Sequence, residues 1–211
     1  MVHTTNKETL NPADGNKNPA VFLDRDGTII HDAGYIKTPD LVRFLPLAPE
    51  ALVLLQNAGY RLIVVSNQSG IARGLISLDQ LCAVQNRFFE LLQNHNITLT
   101  DYLFCPHHPN GAIAEFQKTC TCRKPAPGML LAAAKKYNID LANSWMIGDK
   151  SDDVRAGQAA GTQTIRLISP LSSPLATHLS VEDSRPDFYA ENLFEAAKII
   201  IRQLQESMGQ E

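Results

Sequence analysis

Short runs of continuously apolar residues, separated by segments with helical periodicity, constrain the fold of this chain more than any other feature. Strands that are apolar throughout, without a polar alternate residue, are typical of a sheet covered on both faces. The runs that we predict to be strands are residues 20–23, 61–65, 101–104, 145–147 and 164–168. Helical spacing predicts helices over residues 46–59, 78–94, 127–137, 152–160 and 193–205.

This order of strands and helices predicts an α/β fold, namely a doubly wound parallel sheet with helices on both faces. The 211 residues favour one domain, which we place at residues 19–207, after a polar and disordered leader at residues 1–18. The 17 residues from 29 to 45 are too few for a separate cap domain. In such a sheet, ligands bind beyond the carboxyl ends of the strands.

Charge and hydropathy argue against two classes of partner. The formal net charge is −3 and both signs are mixed along the chain, so there is no basic stripe of the kind that binds nucleic acid. The sequence has no run of about 18 apolar residues, so we expect no membrane span. The N-terminal residues lack the apolar core of a secretory signal, which favours the cytoplasm. We also expect a monomer, because no long exposed apolar helix stands out.

Polar residues that suit phosphate chemistry stand at four places beside the predicted elements. The first strand is followed by Asp24, Asp26 and Thr28, and the second by Ser66, Asn67, Gln68 and Ser69. Directly before a helix stand Arg123 and Lys124, and after the fourth strand stand Asp149, Lys150 and Asp153. Each group alone has an ordinary alternative, such as a polar turn or acidic residues at the start of a helix. Together they lie where such a sheet binds its ligand.

The residue types at these places support phosphoryl transfer. Asp24 and Asp26 form a carboxylate pair at a metal, in which Asp24 could attack phosphorus while Asp26 handles the proton of the leaving group. The hydroxyl of Ser66 can donate to a phosphate oxygen. The ammonium of Lys124 would offset the charge of the phosphate and lower the barrier.

The four groups, in this order, resemble the signature of the haloacid dehalogenase superfamily of phosphatases, over about residues 20–170. The resemblance implies a Rossmann-like sheet and an aspartyl-phosphate intermediate on Asp24. It implies Mg²⁺ bound by Asp24, Asp149 and the backbone carbonyl of Asp26. It also implies that the side chain of Asp26 protonates the leaving alkoxide and then activates water. Asp153 would orient Lys124 or a metal-bound water.

A cluster of cysteine and histidine residues predicts a second metal site. Three sulfur atoms and one imidazole match a closed tetrahedral zinc site, whose ligands would be Cys105, His107, Cys120 and Cys122. We expect this zinc to be structural and to staple the zinc loop, residues 105–122, which delivers Lys124. Spacing alone does not distinguish His107 from His108. The fourth cysteine, Cys82, is predicted to be a buried small hydrophobe on a helix.

Within the superfamily, the sequence resembles the D-glycero-D-manno-heptose 1,7-bisphosphate 7-phosphatases, with histidinol-phosphatases as relatives. The matching segments are FLDRDGT from Phe22, NQSGIARG from Asn67, CPHHP from Cys105 and CRKP from Cys122. This resemblance implies hydrolysis of the C7 phosphate on the way to ADP- or GDP-heptose. It also implies substrate contacts at Asp32, Tyr35, Ser66, Asn67, Gln68, Ser69, Arg123 and Lys150. The fork of Arg123 suits a second anionic or polyhydroxyl end of a sugar bisphosphate.

Three other functions fit parts of the sequence. A histidinol-phosphate phosphatase would need an acidic or aromatic group for the substrate's amine. A nucleic-acid 3′-phosphatase is disfavoured by the absence of a basic run. A zinc-binding scaffold without activity is disfavoured because every acid–base and nucleophile position is filled. The preferred anomer and the surface-glycan pathway stay open at this stage.

Overall fold

The computed structural model describes residues 17–168 and 184–208, in which six parallel strands form one sheet. The strands are β1 (Ala20–Leu23), β2 (Arg61–Asn67), β3 (Asp101–Cys105), β4 (Trp145–Gly148), β5 (Gln163–Leu167) and β6 (Phe188–Ala190). The helices are α1 (Ala48–Asn57), α2 (Leu78–Asn94), α3 (Gly128–Tyr137), α4 (Ser151–Ala160) and α5 (Leu193–Met208). Most of the predicted leader lies outside the described residues, although Asn18 forms a bridge with Ile139.

Helices cover both faces of the sheet, as the apolar strands predict. Neighbouring side chains of β1 point to opposite faces: Val21 and Leu23 enter one core, while Ala20 and Phe22 enter the other. The first core is completed by buried residues of α1, α2 and α5, and the second by buried residues of α3 and α4. The predicted doubly wound α/β fold is therefore confirmed.

The chain reverses its direction of winding at β1, which positions the site. The strand order is β3-β2-β1-β4-β5-β6, so β1 pairs with β2 on one side and with β4 on the other. The crossovers diverge from this point, which leaves a crevice beyond the carboxyl ends of β1 and β4. Asp24 follows β1 and Asp149 follows β4, so the topology brings together two residues that are far apart in sequence.

Local sequence signals explain where several helices begin and end. α2 has the predicted bounds because Ser77 Oγ accepts from Gln80 N at 3.1 Å while Gln80 Oε1 accepts from Ser77 N at 2.9 Å. α4 ends at Ala160, and the next residue, Gly161, takes the left-handed conformation that glycine adopts without strain. α1 begins two positions later than predicted, because Leu47 has φ 61° and stands outside the helix.

Two expectations from the sequence were wrong or incomplete. Cys82 is exposed, because a helix turns by about 100° per residue and carries the position after Leu81 away from the buried stripe. β6 was not predicted, since its three residues are too few for a recognisable pattern. Its Phe188 packs against Trp145 with ring centroids 5.7 Å apart.

Residues 29–45 add no cap domain to the sheet. They contain turns and a short 3₁₀ helix, Pro39–Leu41, and the buried side chains of Ile29 and Ile36 join the main core. None of the helices in the described ranges is long and apolar enough to cross a membrane.

Candidate active site and zinc site

The ammonium of Lys124 lies at the centre of the candidate active site. Its Nζ donates to Asp24 Oδ1 at 2.8 Å and to the carbonyl oxygen of Val65 at 2.6 Å, and lies 2.6 Å from Asp153 Oδ1. Only 2% of Lys124 is exposed. Burial by itself would lower the pKa of Lys124, but the charges of Asp153 and Asp24 outweigh it and raise that pKa. Lys124 is therefore charged beside the predicted nucleophile.

A group of three carboxylates has the composition of a divalent cation site. Asp24, Asp149 and Asp153 each offer an oxygen within 4.8 Å of the others. Oδ1 of Asp149 is buried and has no hydrogen-bond partner among the described residues. Burial, and then the charge of Asp24, raise the pKa of Asp149 to about 7. A buried carboxylate oxygen without a donor, next to further carboxylates, fits Mg²⁺, which prefers oxygen ligands.

Asp153 uses both of its carboxylate oxygens within the protein. Oδ1 faces the ammonium of Lys124, and Oδ2 accepts from the backbone N–H of Lys150 at 3.0 Å. Burial raises the pKa of Asp153 to about 6, although the nearby charge of Lys124 acts in the opposite direction. Both oxygens of Asp153 therefore already have partners in the protein, and its role in orienting Lys124 or a metal-bound water stays a prediction.

The carboxylate of Asp26 lies outside the group of three and is held by two other side chains. Arg25 Nε donates to Oδ1 at 2.9 Å, and Arg25 Nη2 donates to Oδ2 at 2.8 Å. Gln68 Nε2 donates to Oδ2 at 2.9 Å. The side chain of Asp26 is therefore bound within the protein and lies outside the group of three carboxylates, and its role in proton transfer stays a prediction.

Sequence patterns did not single out Arg25 or Tyr102, which support Asp26 from behind. Arg25 is 1% exposed, and its Nη1 donates to the hydroxyl of Tyr102 at 3.0 Å. Burial raises the pKa of Tyr102 to about 12, so its hydroxyl is neutral at ordinary pH. An arginine between two aspartates at the end of a buried strand is the one signal that could have pointed to this arrangement.

Ser66, Gln68 and Asn67 lie together at the carboxyl end of β2. Gln68 Nε2 donates to Ser66 Oγ at 2.8 Å, which leaves the hydroxyl hydrogen of the serine free to point elsewhere. Asn67 Nδ2 donates to the carbonyl oxygen of Lys124 at 3.0 Å, and Asn67 Oδ1 accepts from the Lys124 N–H at 3.1 Å. Asn67 therefore holds the backbone of Lys124 next to β2.

The remaining predicted substrate contacts are exposed or half-buried side chains, which we call the rim. Lys150 Nζ lies 3.1 Å from Asp32 Oδ2 and 3.9 Å from Asp149 Oδ2. Tyr35 is 41% exposed, while Ser69 is half-buried in the turn after β2. Arg123 Nη1 donates to a backbone carbonyl of the zinc loop at 3.5 Å. The rim thus carries two cationic side chains at an open mouth.

The predicted zinc ligands converge in space. Their sulfur atoms are 3.2–3.5 Å apart, and His107 Nδ1 lies 3.4 Å from Cys122 Sγ and 3.5 Å from Cys105 Sγ. A disulfide would need about 2.05 Å, whereas sulfur ligands on a tetrahedral zinc lie about 3.8 Å apart. Burial raises the pKa of Cys105 and Cys122, so a cation is needed to hold both as thiolates. The set fits a closed zinc site.

The structure also distinguishes the two histidines that spacing left open. His107 Nδ1 is the ring atom within the cluster, whereas His108 Nε2 lies 2.9 Å from Arg73 Nη2. The zinc loop is bound to the turn after β2 as well, since the N–H groups of Ala112 and Ile113 both donate to the carbonyl oxygen of Ala72. The metal would therefore fix two segments of the rim at once.

The sheet, the four groups of residues and the missing cap together define a phosphatase of the haloacid dehalogenase type. A family model described as HAD-hydrolase-like matches residues 121–196. The chain is 45% identical over 150 residues to the D-glycero-beta-D-manno-heptose-1,7-bisphosphate 7-phosphatase of Yersinia pestis, covering 71% of this chain and 80% of that protein. The enzyme of the same description from Escherichia coli K12 is 43% identical, covering 71% and 78%.

A solved structure gives the same result. The D,D-heptose 1,7-bisphosphate phosphatase from B. bronchiseptica, complexed with magnesium and phosphate, has a TM-score of 0.74 and 29% identity. The match covers 88% of this chain and 99% of that chain. The chain belongs to the family of D-glycero-D-manno-heptose-1,7-bisphosphate 7-phosphatases.

Gly27 tests whether the position of Asp149 matters for activity. Gly27 has φ +83°, and a Cβ there would lie 2.5 Å from Asp149 Oδ2. We expect Gly27→Ala to displace Asp149 and lower kcat/KM for phosphate release at least about a hundredfold. The control is Gly59→Ala, where φ is +86° and no heavy atom lies within 4 Å of the added Cβ. Equal activity of the two variants would contradict the assignment of Asp149.

Elemental analysis tests the zinc site. We expect about one zinc per chain in the purified protein, and loss of that zinc in Cys122→Ser. Because metal binding stabilises the folded loop, the free energy of unfolding should fall by at least about 3 kcal/mol in this variant. Cys82→Ser is the matched control and should keep its zinc, since Cys82 is exposed and outside the cluster. A folded wild-type protein without zinc would disprove the site.

Proposed function

We propose that this chain hydrolyses the C7 phosphate of D-glycero-D-manno-heptose 1,7-bisphosphate through an aspartyl-phosphate intermediate on Asp24. The observation that carries the proposal is its 45% identity to the heptose bisphosphatase of Yersinia pestis over 80% of that enzyme. Both curated relatives are described as acting on the beta anomer, so we infer the same preference here.

The first chemical step is the transfer of the phosphoryl group to the protein. Asp24 attacks phosphorus, the bond from phosphorus to the C7 oxygen breaks, and Asp26 gives a proton to that oxygen. Lys124, 2.8 Å from Asp24, and the hydroxyl of Ser66 hold the phosphoryl oxygens. Mg²⁺, held by Asp24, Asp149 and the Asp26 carbonyl, would screen the repulsion between the carboxylate and the phosphate.

The second step releases phosphate and restores the enzyme. A water molecule attacks the aspartyl-phosphate, and Asp26, now ionised, takes its proton. The open mouth supports this step because water can reach the crevice without movement of a cap domain. The exposed side chains at that mouth, such as Lys150, leave room for the rest of the sugar.

Charge at the rim favours a bisphosphate over the alternative substrates. Arg123 and Lys150 suit a distal phosphate, whereas the amine of histidinol phosphate would meet like charge. Asp32, which could receive an amine, is paired with Lys150 at 3.1 Å. An oligonucleotide is disfavoured because the chain has a net charge of −3 and no basic stripe.

We place the enzyme in the cytoplasm and propose that it acts as a monomer. Three reduced cysteines are needed for the zinc site, and reducing compartments maintain them. The catalytic groups Asp24, Lys124 and Asp153 contact one another within a single chain, which supports a site that is complete in a monomer. A specific activity for phosphate release that falls as the protein is diluted would contradict the monomer.

Removal of the nucleophile tests the covalent mechanism. We expect Asp24→Asn to lower kcat for phosphate release at least about a thousandfold, because an amide does not replace the attacking carboxylate. Asp79→Asn changes an exposed aspartate on α2 and should keep wild-type activity. Turnover by Asp24→Asn near the wild-type rate would exclude the aspartyl-phosphate.

A panel of phosphate esters tests the substrate. It compares the beta and alpha anomers of the heptose bisphosphate with fructose 1,6-bisphosphate, histidinol phosphate and a 3′-phosphorylated oligonucleotide. We expect the highest kcat/KM for the beta heptose bisphosphate and strict dependence on added Mg²⁺. A higher kcat/KM for histidinol phosphate would overturn the proposed substrate but not the proposed reaction, hydrolysis of a phosphate ester.

A further inference from the structure

A buried arginine and a buried tyrosine stand behind the acid–base residue Asp26. Arg25 and Tyr102 are each 1% exposed, so neither can reach a substrate in the crevice. Arg25 grips both oxygens of Asp26 with two parallel N–H groups, at 2.9 and 2.8 Å. Its third contact runs inwards, to the Tyr102 hydroxyl at 3.0 Å.

A buried arginine destabilises the folded protein unless its N–H groups have hydrogen-bond acceptors. A guanidinium removed from water loses its hydration, and only close hydrogen-bonding partners offset that loss. Tyr102 is fixed in turn by Phe88, Phe89 and Phe104, whose ring centroids lie 5.8–6.4 Å from its own. The aromatic cluster thus fixes the Tyr102 hydroxyl, which accepts from Arg25, and Arg25 in turn orients the carboxylate of Asp26.

The hydrogen bonds leave one position on Asp26 open. A carboxylate has about four lone-pair positions. Oδ2 accepts from Arg25 Nη2 and from Gln68 Nε2, while Oδ1 accepts only from Arg25 Nε among the described residues. The side chain of Asp26 is 15% exposed, so its open position can face the crevice.

We propose that Arg25 and Tyr102 are positioning residues that hold Oδ1 of Asp26 as the oxygen that exchanges the proton. This inference rests on the proposed function, in which Asp26 protonates the C7 oxygen as the ester bond breaks. The proton leaves Oδ1 with the alcohol, and Oδ1 regains one from the water that attacks the aspartyl-phosphate. Arg25 and Tyr102 neither gain nor lose a proton in either step.

The leaving group distinguishes this role from a purely structural one. A sugar alkoxide is a poor leaving group and needs a proton, whereas the phenolate of p-nitrophenyl phosphate leaves without one. kcat/KM reports the steps up to phosphoryl transfer. Misplacement of Asp26 should therefore lower kcat/KM for the sugar ester alone, while partial unfolding would lower it equally for both esters.

The experiment measures kcat/KM with the beta heptose bisphosphate and with p-nitrophenyl phosphate. We expect Tyr102→Phe to lower the value for the sugar about tenfold, the effect of one misplaced hydrogen bond. Arg25→Met should lower kcat/KM for the sugar about a hundredfold or more. Arg25→Lys keeps the charge but not the planar fork of N–H groups, so its kcat/KM for the sugar should lie between those of Arg25→Met and the wild type. Values for p-nitrophenyl phosphate should stay within about threefold of wild type.

Two further variants make the outcome decisive. Tyr137→Phe removes a tyrosine hydroxyl that bonds to Asp101, away from the site, and should leave both substrates unaffected. Asp26→Asn should lose about a hundredfold or more with the sugar alone; an equal loss with both esters would overturn the proposed role of Asp26. If Asp26→Asn is selective but Tyr102→Phe is not, only the positioning role is overturned. Tyr102→Phe decides alone if the Arg25 variants do not fold.

Discussion

The buried ammonium of Lys124 is the interaction on which the site depends. It joins Asp24 at the end of β1, the carbonyl oxygen of Val65 in β2 and Asp153 in the first turn of α4. Loss of one partner from such a buried network leaves an uncompensated charge and costs about 3–5 kcal/mol. The same contacts that stabilise the crevice therefore also place the charge that a transferring phosphoryl group needs.

The zinc loop is the second constraint, because Lys124 has no helix or strand to hold it. Its backbone is fixed from one side by Asn67 and from the other by Cys122, two positions earlier in the zinc cluster. A cap domain is replaced here by this loop and the turn after β2, which meet at Ala72. Zinc would thus act on catalysis through the position of the loop and not through chemistry of its own.

Two kinds of support hold the catalytic aspartates. Asp24 and Asp149 lie at the point where the sheet reverses its winding, and their charges call for a cation. Asp26 is held by Arg25 and Gln68, with the aromatic cluster around Tyr102 behind it. The two aspartates of one turn therefore have different surroundings, which fits the different roles that we propose for them: Asp24 lies beside Lys124, and Asp26 is bound by Arg25 and Gln68.

Local patterns in the sequence determined strands β1 to β5, the cap at Ser77 and the order of the four polar groups, because these depend on neighbouring residues. Each group of the superfamily signature, and each close pair of zinc ligands, was recognisable for the same reason, since the spacing within a group is short. Only the tertiary structure decided between His107 and His108 and showed that Cys82 is exposed. It also brought Tyr102 into contact with Arg25, 77 positions away in the sequence. Such contacts depend on which strands become neighbours and on which way each side chain points, and neither is encoded within a short window of residues.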